Sequence, residues 1–212
     1  MPQFMRQILY FNLDISEEVY LFTKRMLDII FSTILLVMCV FLCPLVYFCV
    51  KYKSPGSFIY TQKRNGLNGK HFTIYKLRTM YSNRCDDGRK QATHKDPRVT
   101  IGGKLLRCLY IDELPQLYNV LIGDMSLVGP RPHAIPMDED YSAKISYYKE
   151  RYKVKPGITG LAQVSGSHGE TKNLDEMKER VLFDIEYLRK KSLWLDFIIL
   201  LKTLKIVFNK LC

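Results

Sequence analysis

The stretch IIFSTILLVMCVFLCPLVYFCV, residues 29–50, decides the fold class, because it runs for 22 residues without a charge. An apolar run of this length can cross a lipid bilayer. It begins too far from the start of the chain, is too long and lacks the small-residue cleavage site of a removable signal peptide. A buried helix of a soluble protein is the alternative, and it fits a run of this length less well.

The flanks of this run and its internal proline favour a re-entrant helix. Two basic residues stand on either side of it, so the positive-inside rule gives no orientation: Lys24, Arg25, Lys51 and Lys53. Pro44 removes a backbone hydrogen bond and bends or breaks a helix. We therefore predict a re-entrant, proline-broken membrane helix over residues 24–52, preceded by an N-terminal segment, residues 1–23. A kinked helix that spans the membrane stays open as the alternative.

Positive charge is concentrated in one segment. The net charge is +11, and residues 51–110 hold 14 Lys and Arg against three acidic residues, so this segment accounts for the whole excess. A local positive field predicts an anionic partner, such as a phosphorylated ligand or an acidic membrane surface. A merely solvated basic face is the alternative. We expect no nucleic acid partner, because no nucleic-acid-binding module can be identified.

The six cysteines indicate a reducing compartment. They form no C-x-x-C pair, and none is paired with a histidine at zinc spacing. Reduced thiols are typical of a protein that faces the cytosol.

The rest of the chain predicts an α+β domain, residues 53–212, made of short helices and strands. Residues 58–63 and 71–79 read as strands, and RNGLNGK between them supplies two Asn-Gly pairs that suit a hairpin turn. The sequence shows no regular alternation of strands and helices, no G-x-G-x-x-G motif and no P-loop, which argues against a doubly wound sheet. The other predicted elements are helices at 102–109, 113–122, 136–150 and 173–191, loops at 81–98 and 123–135, and a loop with a short strand in KPGITGLAQVSG, residues 155–166.

The C-terminal stretch SLWLDFIILLKTLKIVFNKLC, residues 192–212, is apolar but carries one acid and three lysines. It is too polar to span a membrane. It suits a helix lying in the membrane interface with Trp194 at headgroup depth, or an ordinary amphipathic helix packed on the domain. We expect C-terminal interfacial helices.

An acidic pair, Asp112 and Glu113, lies within LLRCLYIDELPQLYNVLIGDMSLVGPRP, residues 105–132. Asp112 stands where the N-cap of the predicted helix 113–122 would be, and acids there complement the helix dipole. Adjacent carboxylates can also take two different chemical roles. One can bind Mg²⁺, which bridges substrate phosphates, while the other attacks phosphorus as a covalent nucleophile.

Basic residues near this pair are candidates for binding phosphate, because the planar guanidinium of arginine can donate two parallel hydrogen bonds to phosphoryl oxygens. Arg131 lies between Pro130 and Pro132, whose rings fix the backbone and reduce the entropy lost when the side chain is held. Lys76 and Arg78 alternate along a predicted strand and would project from one face. Solvated surface charges are the alternative for these side chains. Arg107 precedes the acidic pair and completes the set.

Four stretches of the chain resemble one family. They are RMLDII (25–30), YKLRTM (75–80), LYIDELPQLYNVLIGDMSLVGPRP (109–132) and RYKVKPGITGLAQVSG (151–166). They are similar to bacterial sugar transferases that are monotopic phosphoglycosyl transferases, in particular the small single-domain members. The resemblance runs from about Lys24 to Phe208, and its motifs are specific in combination.

The resemblance implies an activity and a place in the cell. Members move a sugar 1-phosphate from a UDP-sugar to a polyprenol phosphate such as undecaprenyl phosphate and release UMP. This is the first membrane step of capsule, exopolysaccharide, O-antigen or glycoprotein assembly, so downstream glycosyltransferases are implied partners. It implies a catalytic domain on the cytosolic face of the bacterial inner membrane and leaves a homodimer open.

The resemblance also implies roles for individual residues. Asp112 is the expected nucleophile that carries the phosphosugar, and Glu113 is the expected ligand of Mg²⁺. Arg107 and Arg131 are expected to hold phosphates, and Gln163, in the fourth motif, is a further substrate-binding candidate.

Asp184 and Asp196 match acidic family positions near the site. The family's membrane helix is broken at a Ser-Pro pair, whereas this chain has Cys43-Pro44, which keeps the proline but not the serine hydroxyl. Sugar specificity is expected in loops 81–98 and 165–172. A catalytically silent, membrane-anchored scaffold for glycan-assembly enzymes is the alternative function.

Overall fold

The computed structural model describes residues 16–52, 54–81, 91, 93, 96–171 and 173–211. It combines helices with two small sheets, which confirms the predicted mixed fold class. Most of the predicted N-terminal segment and most of the predicted loop 81–98 lie outside the described residues, as does Cys212.

One long helix, α1 (Glu17–Lys51), contains the apolar stretch. Ser16 caps it, and it begins at Glu17, before the boundary predicted at residue 24. The helix continues through Pro44, whereas the sequence predicted an interruption at Cys43-Pro44. A proline removes only one backbone donor, and here its neighbours keep helical geometry. By length and composition α1 could cross a membrane: its most apolar window has a mean hydropathy of 2.8 and is 11% buried.

The predicted hairpin is confirmed. Strand β1 (Ile59–Asn65) pairs antiparallel with β2 (His71–Leu77), and Lys76 lies opposite Tyr60. The connection contains a 3₁₀ turn in which Asn68 has φ 55°, a left-handed conformation that asparagine tolerates.

Helices of varied length follow the hairpin: α2 (Ile101–Cys108), α3 (Gln116–Ile122), α4 (Ile135–Lys144), α5 (Leu161–Val164), α6 (Leu174–Lys190) and α7 (Leu193–Leu211). The predicted cap of α6 is confirmed, because Asn173 Oδ1 accepts the amide of Glu176 at 2.9 Å. The predicted helix 136–150 ends at Lys144, and a 3₁₀ segment, Tyr148–Lys153, follows.

The acidic pair does not begin an α-helix, contrary to the sequence prediction. Residues Ile111–Glu113 form a 3₁₀ turn, and α3 begins only after Pro115. Tyr110, with φ 56°, redirects the chain just before the pair. Asp112 is therefore not a helix N-cap, and its carboxylate is left for another role.

The short strand predicted within KPGITGLAQVSG is confirmed as β4 (Gly157–Thr159). It pairs in parallel with β3 (Ser126–Val128), which lies in a segment that the sequence assigned to a loop. Gly129 and Gly157 approach so closely here that a Cβ atom on either would collide with backbone. This packing fixes the start of the Pro-Arg-Pro segment.

Both ends of α1 pack on the same domain. Near the start of α1, Arg25 donates to the carbonyls of Val120 and Leu121 at 2.5 and 2.7 Å and so satisfies the C-terminal end of α3. Near its end, Val46 and Val50 are buried against β2 and α2. The main core lies between the hairpin and the C-terminal helices: Phe72, Ile74, Leu117, Val120, Met125, Leu127, Val128, Leu161, Tyr187, Leu195 and Ile199.

Candidate active site

Glu113 lies at the centre of a buried ion-pair cluster. Lys76 Nζ donates to Glu113 Oε1 at 2.9 Å, and Arg131 donates to both carboxylate oxygens. Burial opposes ionisation of Glu113, but the charges of Arg131 and Lys76 outweigh it and lower the pKa of Glu113. In return, the charge of Glu113 raises the pKa of Arg131. Glu113 is therefore a fixed anion, and two other predicted site residues, Lys76 and Arg131, meet at it.

Asn119 holds the lysine-bearing strand against the acidic pair. It is fully buried on α3, its Nδ2 donates to the carbonyl of Thr73 at 2.7 Å, and its Oδ1 accepts the amide of Tyr75 at 3.1 Å. Asn119 thus forms hydrogen bonds with backbone groups of β2 close to Lys76. This contact sets the distance between Lys76 and the 3₁₀ turn that carries the acids.

Asp112 is buried beside this cluster, with 8% of its surface exposed. Within the described residues its carboxylate accepts no hydrogen bond. Burial, and next the charge of Glu113, raise the pKa of Asp112 to about 6, while Lys76, Arg107 and Arg131 act in the opposite direction. A desolvated carboxylate that holds its lone pairs free and ionises near neutral pH is suited to nucleophilic attack.

Arg107 lies close enough to Asp112 to favour its ionisation. Its Nε donates to Thr79 Oγ1 at 2.8 Å. Burial lowers the pKa of Arg107, against the attraction of Asp112. The structure therefore brings Arg107 to the same site as Lys76 and Arg131.

The other predicted phosphate-binding residues have structural contacts. Arg78 donates to Ser54 Oγ and O and to the carbonyl of Pro55 at 2.5–3.1 Å, which joins the end of β2 to the chain after α1. The Pro130 carbonyl accepts the amide of Gly157 at 2.9 Å. Pro132 and Gln163 also bond within the protein: the Pro132 carbonyl accepts from Arg64 at 3.3 Å, and Gln163 Nε2 donates to the Ile158 carbonyl at 2.9 Å.

The acidic pair fits Mg²⁺ as part of a larger ligand set. Mg²⁺ commonly takes one or two carboxylates, keeps several waters and uses substrate phosphates. Each carboxylate oxygen has two lone pairs. Glu113 Oε1 accepts from Lys76 and Arg131, whereas among the described residues Oε2 accepts only from Arg131, so Oε2 keeps a lone pair for an ion. Among the described residues no group of three or more His, Cys, Asp or Glu side chains could hold a metal, so phosphate and water would complete the set.

Comparison with known proteins places this geometry in a family. The model of the family described as "Bacterial sugar transferase" matches residues 19–210. The chain belongs to the bacterial sugar transferase family. The predicted family resemblance is thereby confirmed.

Relatives of this sugar transferase act on undecaprenyl phosphate, according to their names. It is 47% identical over 180 residues to the UDP-glucose:undecaprenyl-phosphate glucose-1-phosphate transferase of Caulobacter vibrioides, covering 85% of this chain and 67% of that protein. It is 46% identical over 188 residues to the Escherichia coli protein of the same name, covering 88% of this chain and 40% of that protein.

A third relative is named for a different sugar. The UDP-N-acetylgalactosamine-undecaprenyl-phosphate N-acetylgalactosaminephosphotransferase of Aeromonas hydrophila is 39% identical over 195 residues, covering 92% of this chain and 46% of that protein. The sugar transferase chain thus spans from 40% to 67% of the length of these three relatives.

Asp184 of the sugar transferase lies behind the site, where it supports Arg131 indirectly. Asp184 Oδ2 is 2.8 Å from Arg151 Nη2, and both side chains are buried. The same Arg151 nitrogen donates to the backbone carbonyl of Arg131 at 2.6 Å. Asp184 therefore fixes the backbone of the Pro-Arg-Pro segment and is a positioning residue.

Asp196 of the sugar transferase joins α1 to α7. It accepts from Lys24 Nζ at 2.7 Å, from Tyr187 at 2.7 Å and from Tyr20 at 3.2 Å. Lys24 also donates to the Val128 carbonyl at 3.1 Å, just before the Gly-Pro-Arg-Pro segment. Like Asp184, Asp196 is linked to the site through its neighbours.

Sequence reasoning missed four basic residues near the site of the sugar transferase: Arg64, His133, Arg151 and Arg180. Arg180 and Asp184 are four residues apart on α6 and face the same side, which is a signal in the sequence. Arg64 gives no such signal, because its contact with Pro132 joins residues that are far apart in the chain.

Proposed function

We propose that this protein transfers a sugar 1-phosphate from a UDP-sugar to undecaprenyl phosphate and releases UMP. The observation that carries the proposal is Asp112, a buried carboxylate that accepts no hydrogen bond within the described residues, beside the Glu113–Arg131–Lys76 cluster. The relatives named above supply the reaction class.

The first step uses Asp112 as the nucleophile. A carboxylate oxygen of Asp112 attacks the phosphorus that carries the sugar. The bond from that phosphorus to the bridging oxygen of the diphosphate breaks, and UMP leaves with the electron pair. Arg131, Lys76 and Arg107 stabilise the negative charge that spreads over the phosphoryl oxygens.

The second step returns the carboxylate. An oxygen of undecaprenyl phosphate attacks the phosphorus of the aspartyl phosphosugar, and the bond from phosphorus to Asp112 breaks. The products are undecaprenyl diphosphate sugar and the free carboxylate. The low exposure of Asp112 limits access of water, which would otherwise hydrolyse the intermediate.

Glu113 is the proposed ligand of Mg²⁺ through its Oε2 atom. When bound with substrate phosphate, Mg²⁺ neutralises part of the charge on the phosphoryl oxygens. The ion pair with Arg131 and Lys76 keeps Glu113 ionised for this role.

We further propose that α1 is a re-entrant membrane element. Lys24 and Arg25 near its start and Val50 near its end contact the same domain. The segment between them exposes large apolar side chains, and Phe41 is 82% exposed. A helix held by one domain on both sides of its apolar segment is best satisfied if it enters and leaves on the same membrane face, here the cytosolic one. Because α1 is continuous, this path requires the helix to bend, and Pro44 is the residue that favours a bend.

Helix α7 supplies a second apolar surface. Leu195 and Ile199 are buried in the core, whereas the opposite side of the helix exposes large apolar groups: Trp194, Phe197, Leu201, Leu204 and Phe208. The two sequence alternatives therefore combine, since the helix packs on the domain with one face and offers the other to the membrane interface.

Release of UMP by detergent-solubilised protein tests the reaction. The full chain is incubated with Mg²⁺, undecaprenyl phosphate and, in turn, UDP-glucose, UDP-galactose or UDP-N-acetylgalactosamine. We expect UMP with at least one donor, none from Asp112→Asn, and unchanged release from Asp140→Asn, which alters an exposed acid. Full activity of Asp112→Asn would contradict the proposal, and silence with every UDP-sugar would favour a scaffold.

A further inference from the structure

Three buried side-chain nitrogens near the Pro-Arg-Pro segment have no hydrogen-bond partner in the part of the chain that the structure describes. They are Arg64 Nε, His133 Nε2 and Arg180 Nε. A buried donor that loses its water partner without gaining another costs free energy, so such groups call for an explanation. Three of them in one region indicate a missing acceptor.

The position of the proton on His133 depends on its neighbours. Arg151 Nη1 lies 2.7 Å from His133 Nδ1, and arginine can only donate. This contact favours Nδ1 as the acceptor and the ring proton on Nε2. Nδ1 also lies 2.7 Å from the Tyr148 hydroxyl, which donates to Asp138 at 2.6 Å and so favours a proton on Nδ1 instead. The tautomer with the proton on Nε2 is the one that can bind an anion. Burial, followed by the charges of Arg151 and Arg180, lowers the pKa of His133, so the ring is neutral and offers one N–H.

The two arginines carry charge that no acid neutralises directly. Within the described residues, neither Arg64 nor Arg180 forms an ion pair with a carboxylate. Arg64 donates to Gln62 Oε1 at 2.6 Å and to the Pro132 carbonyl at 3.3 Å, while Arg180 donates to the Gly169 carbonyl at 3.1 Å.

The nearby acids are already engaged. Asp184 attracts Arg180 but forms its ion pair with Arg151, although its Oδ2 atom accepts no hydrogen bond of good geometry within the described residues. Asp138 attracts Arg64 but accepts from Asn65 at 2.8 Å and from Tyr148 at 2.6 Å. Charges that stay buried without a partner are costly, and an anionic ligand would remove this cost.

Both arginines lie close to Arg131. Burial is the main cause that lowers the pKa of each, and repulsion by Arg131 is the next. His133 follows Arg131 by two residues in the chain. The unpaired donors therefore surround the segment whose arginine binds Glu113.

We propose that Arg64, His133 and Arg180 form a second anion site, which binds a phosphate group other than the one that Asp112 attacks. The inference rests on the proposed function, because that reaction brings two further phosphates to the site. One belongs to the nucleotide and leaves as UMP, and the other belongs to the polyprenol acceptor. Both present the same oxygen acceptors to these N–H groups.

Binding of single probes to the full-length protein in detergent tests the site without turnover. The probes are UMP and undecaprenyl phosphate, each added alone, with equilibrium dissociation constants measured for wild type, Arg64→Gln and Arg180→Gln. Lys63→Gln and Lys178→Gln are the matched controls, since each removes a more exposed charge from the same strand or helix. Arg64→Lys and Arg180→Lys keep the charge but lose the Nε donor.

We expect the dissociation constant of one probe to rise about tenfold or more in both Gln variants, less in the Lys variants, and not in the controls. A loss confined to UMP assigns the site to the nucleotide, and a loss confined to the lipid assigns it to the acceptor. Unchanged binding of both probes in both Gln variants, or no binding by wild type, would overturn the proposal. Because no reaction occurs, this outcome is independent of whether Asp112 is the nucleophile.

Folding of the Gln variants is checked by the thermal midpoint without ligand. Removing an unpaired buried charge is not expected to lower it. The stabilisation that a bound probe gives to wild type should shrink in the same variants.

Discussion

Arg131 and Glu113 form a two-pronged ion pair across 18 residues of chain, with Arg131 Nη1 3.0 Å from Glu113 Oε2. The arginine proposed to bind phosphate is thus positioned by the carboxylate proposed to bind the metal. Lys76 shares that carboxylate. The site is therefore organised before substrate arrives, which reduces the reorganisation needed during phosphoryl transfer.

Arg131→Lys is expected to lower kcat/KM by about 100-fold, because lysine keeps the charge but cannot form the paired contacts of a guanidinium. Steady-state UMP release measures this. Arg189→Lys, an exposed change on α6, should keep wild-type activity. Equal activity of the two variants would show that the forked geometry does not matter.

Activity should depend on the ionisation of Asp112. Its pKa is raised to about 6, and only the ionised carboxylate attacks phosphorus. We therefore expect kcat/KM to be level above about pH 7 and to fall about tenfold per pH unit well below pH 6. A pH series of initial rates with saturating Mg²⁺ measures this, and a profile that stays flat down to pH 5 would contradict it.

The ionised carboxylate of Asp112 should also lower the free energy of unfolding at neutral pH. Its folded pKa lies above its ordinary value of 3.8, so the group favours the folded state below pH 4, and this contribution is lost as the pH rises through about 6. The asparagine of Asp112→Asn cannot ionise. We therefore expect the free energy of unfolding of this variant to exceed that of wild type by about 2 to 3 kcal/mol at pH 8 and by little at pH 4. Denaturant unfolding at both pH values measures this, with Asp140→Asn as control. A destabilised Asp112→Asn at pH 8 would contradict the burial argument.

The re-entrant path of α1 can be tested by labelling in cells. In a cysteine-free background, Ser16→Cys and Ser57→Cys place thiols at exposed positions on either side of the apolar stretch. We expect both to resist a membrane-impermeant maleimide in intact cells and to react after permeabilisation. Labelling of one thiol in intact cells would instead show that α1 spans the membrane.

The contact of Lys24 with Asp196 should stabilise the fold. Lys24→Met leaves the buried Asp196 carboxylate without its cation, and we expect a loss of about 3 kcal/mol. Lys24→Met combined with Asp196→Asn removes both charges and should recover part of that loss. Unfolding free energies of Lys24→Met, Asp196→Asn and the double variant measure this coupling. A double variant that is destabilised by at least the sum of the two single changes would argue against a specific pair.

Local features that the sequence displays were predictable. The apolar run predicts α1, the Asn-Gly pairs predict the hairpin, and Asn173 predicts the start of α6. The adjacent acids Asp112 and Glu113 predict the position of the candidate site.

Features that depend on long-range packing were not predictable. Strand β3 is three residues long, too short for a periodic signal, and its pairing with the predicted short strand β4 depends on the close approach of Gly129 and Gly157. The path from Asp184 through Arg151 to the Arg131 carbonyl joins distant parts of the chain. The helix remains continuous at Pro44 because one missing hydrogen bond is tolerated within many retained ones.

Intact mass spectrometry tests the central claim most directly. The protein is incubated with Mg²⁺ and the UDP-sugar that supports UMP release, without undecaprenyl phosphate, and is then analysed whole and after proteolysis. We predict an added mass of one sugar phosphate on the peptide that contains Asp112, its loss when undecaprenyl phosphate is added, and its absence from Asp112→Asn. Wild-type turnover with no adduct, or an adduct that persists in Asp112→Asn, would contradict the account.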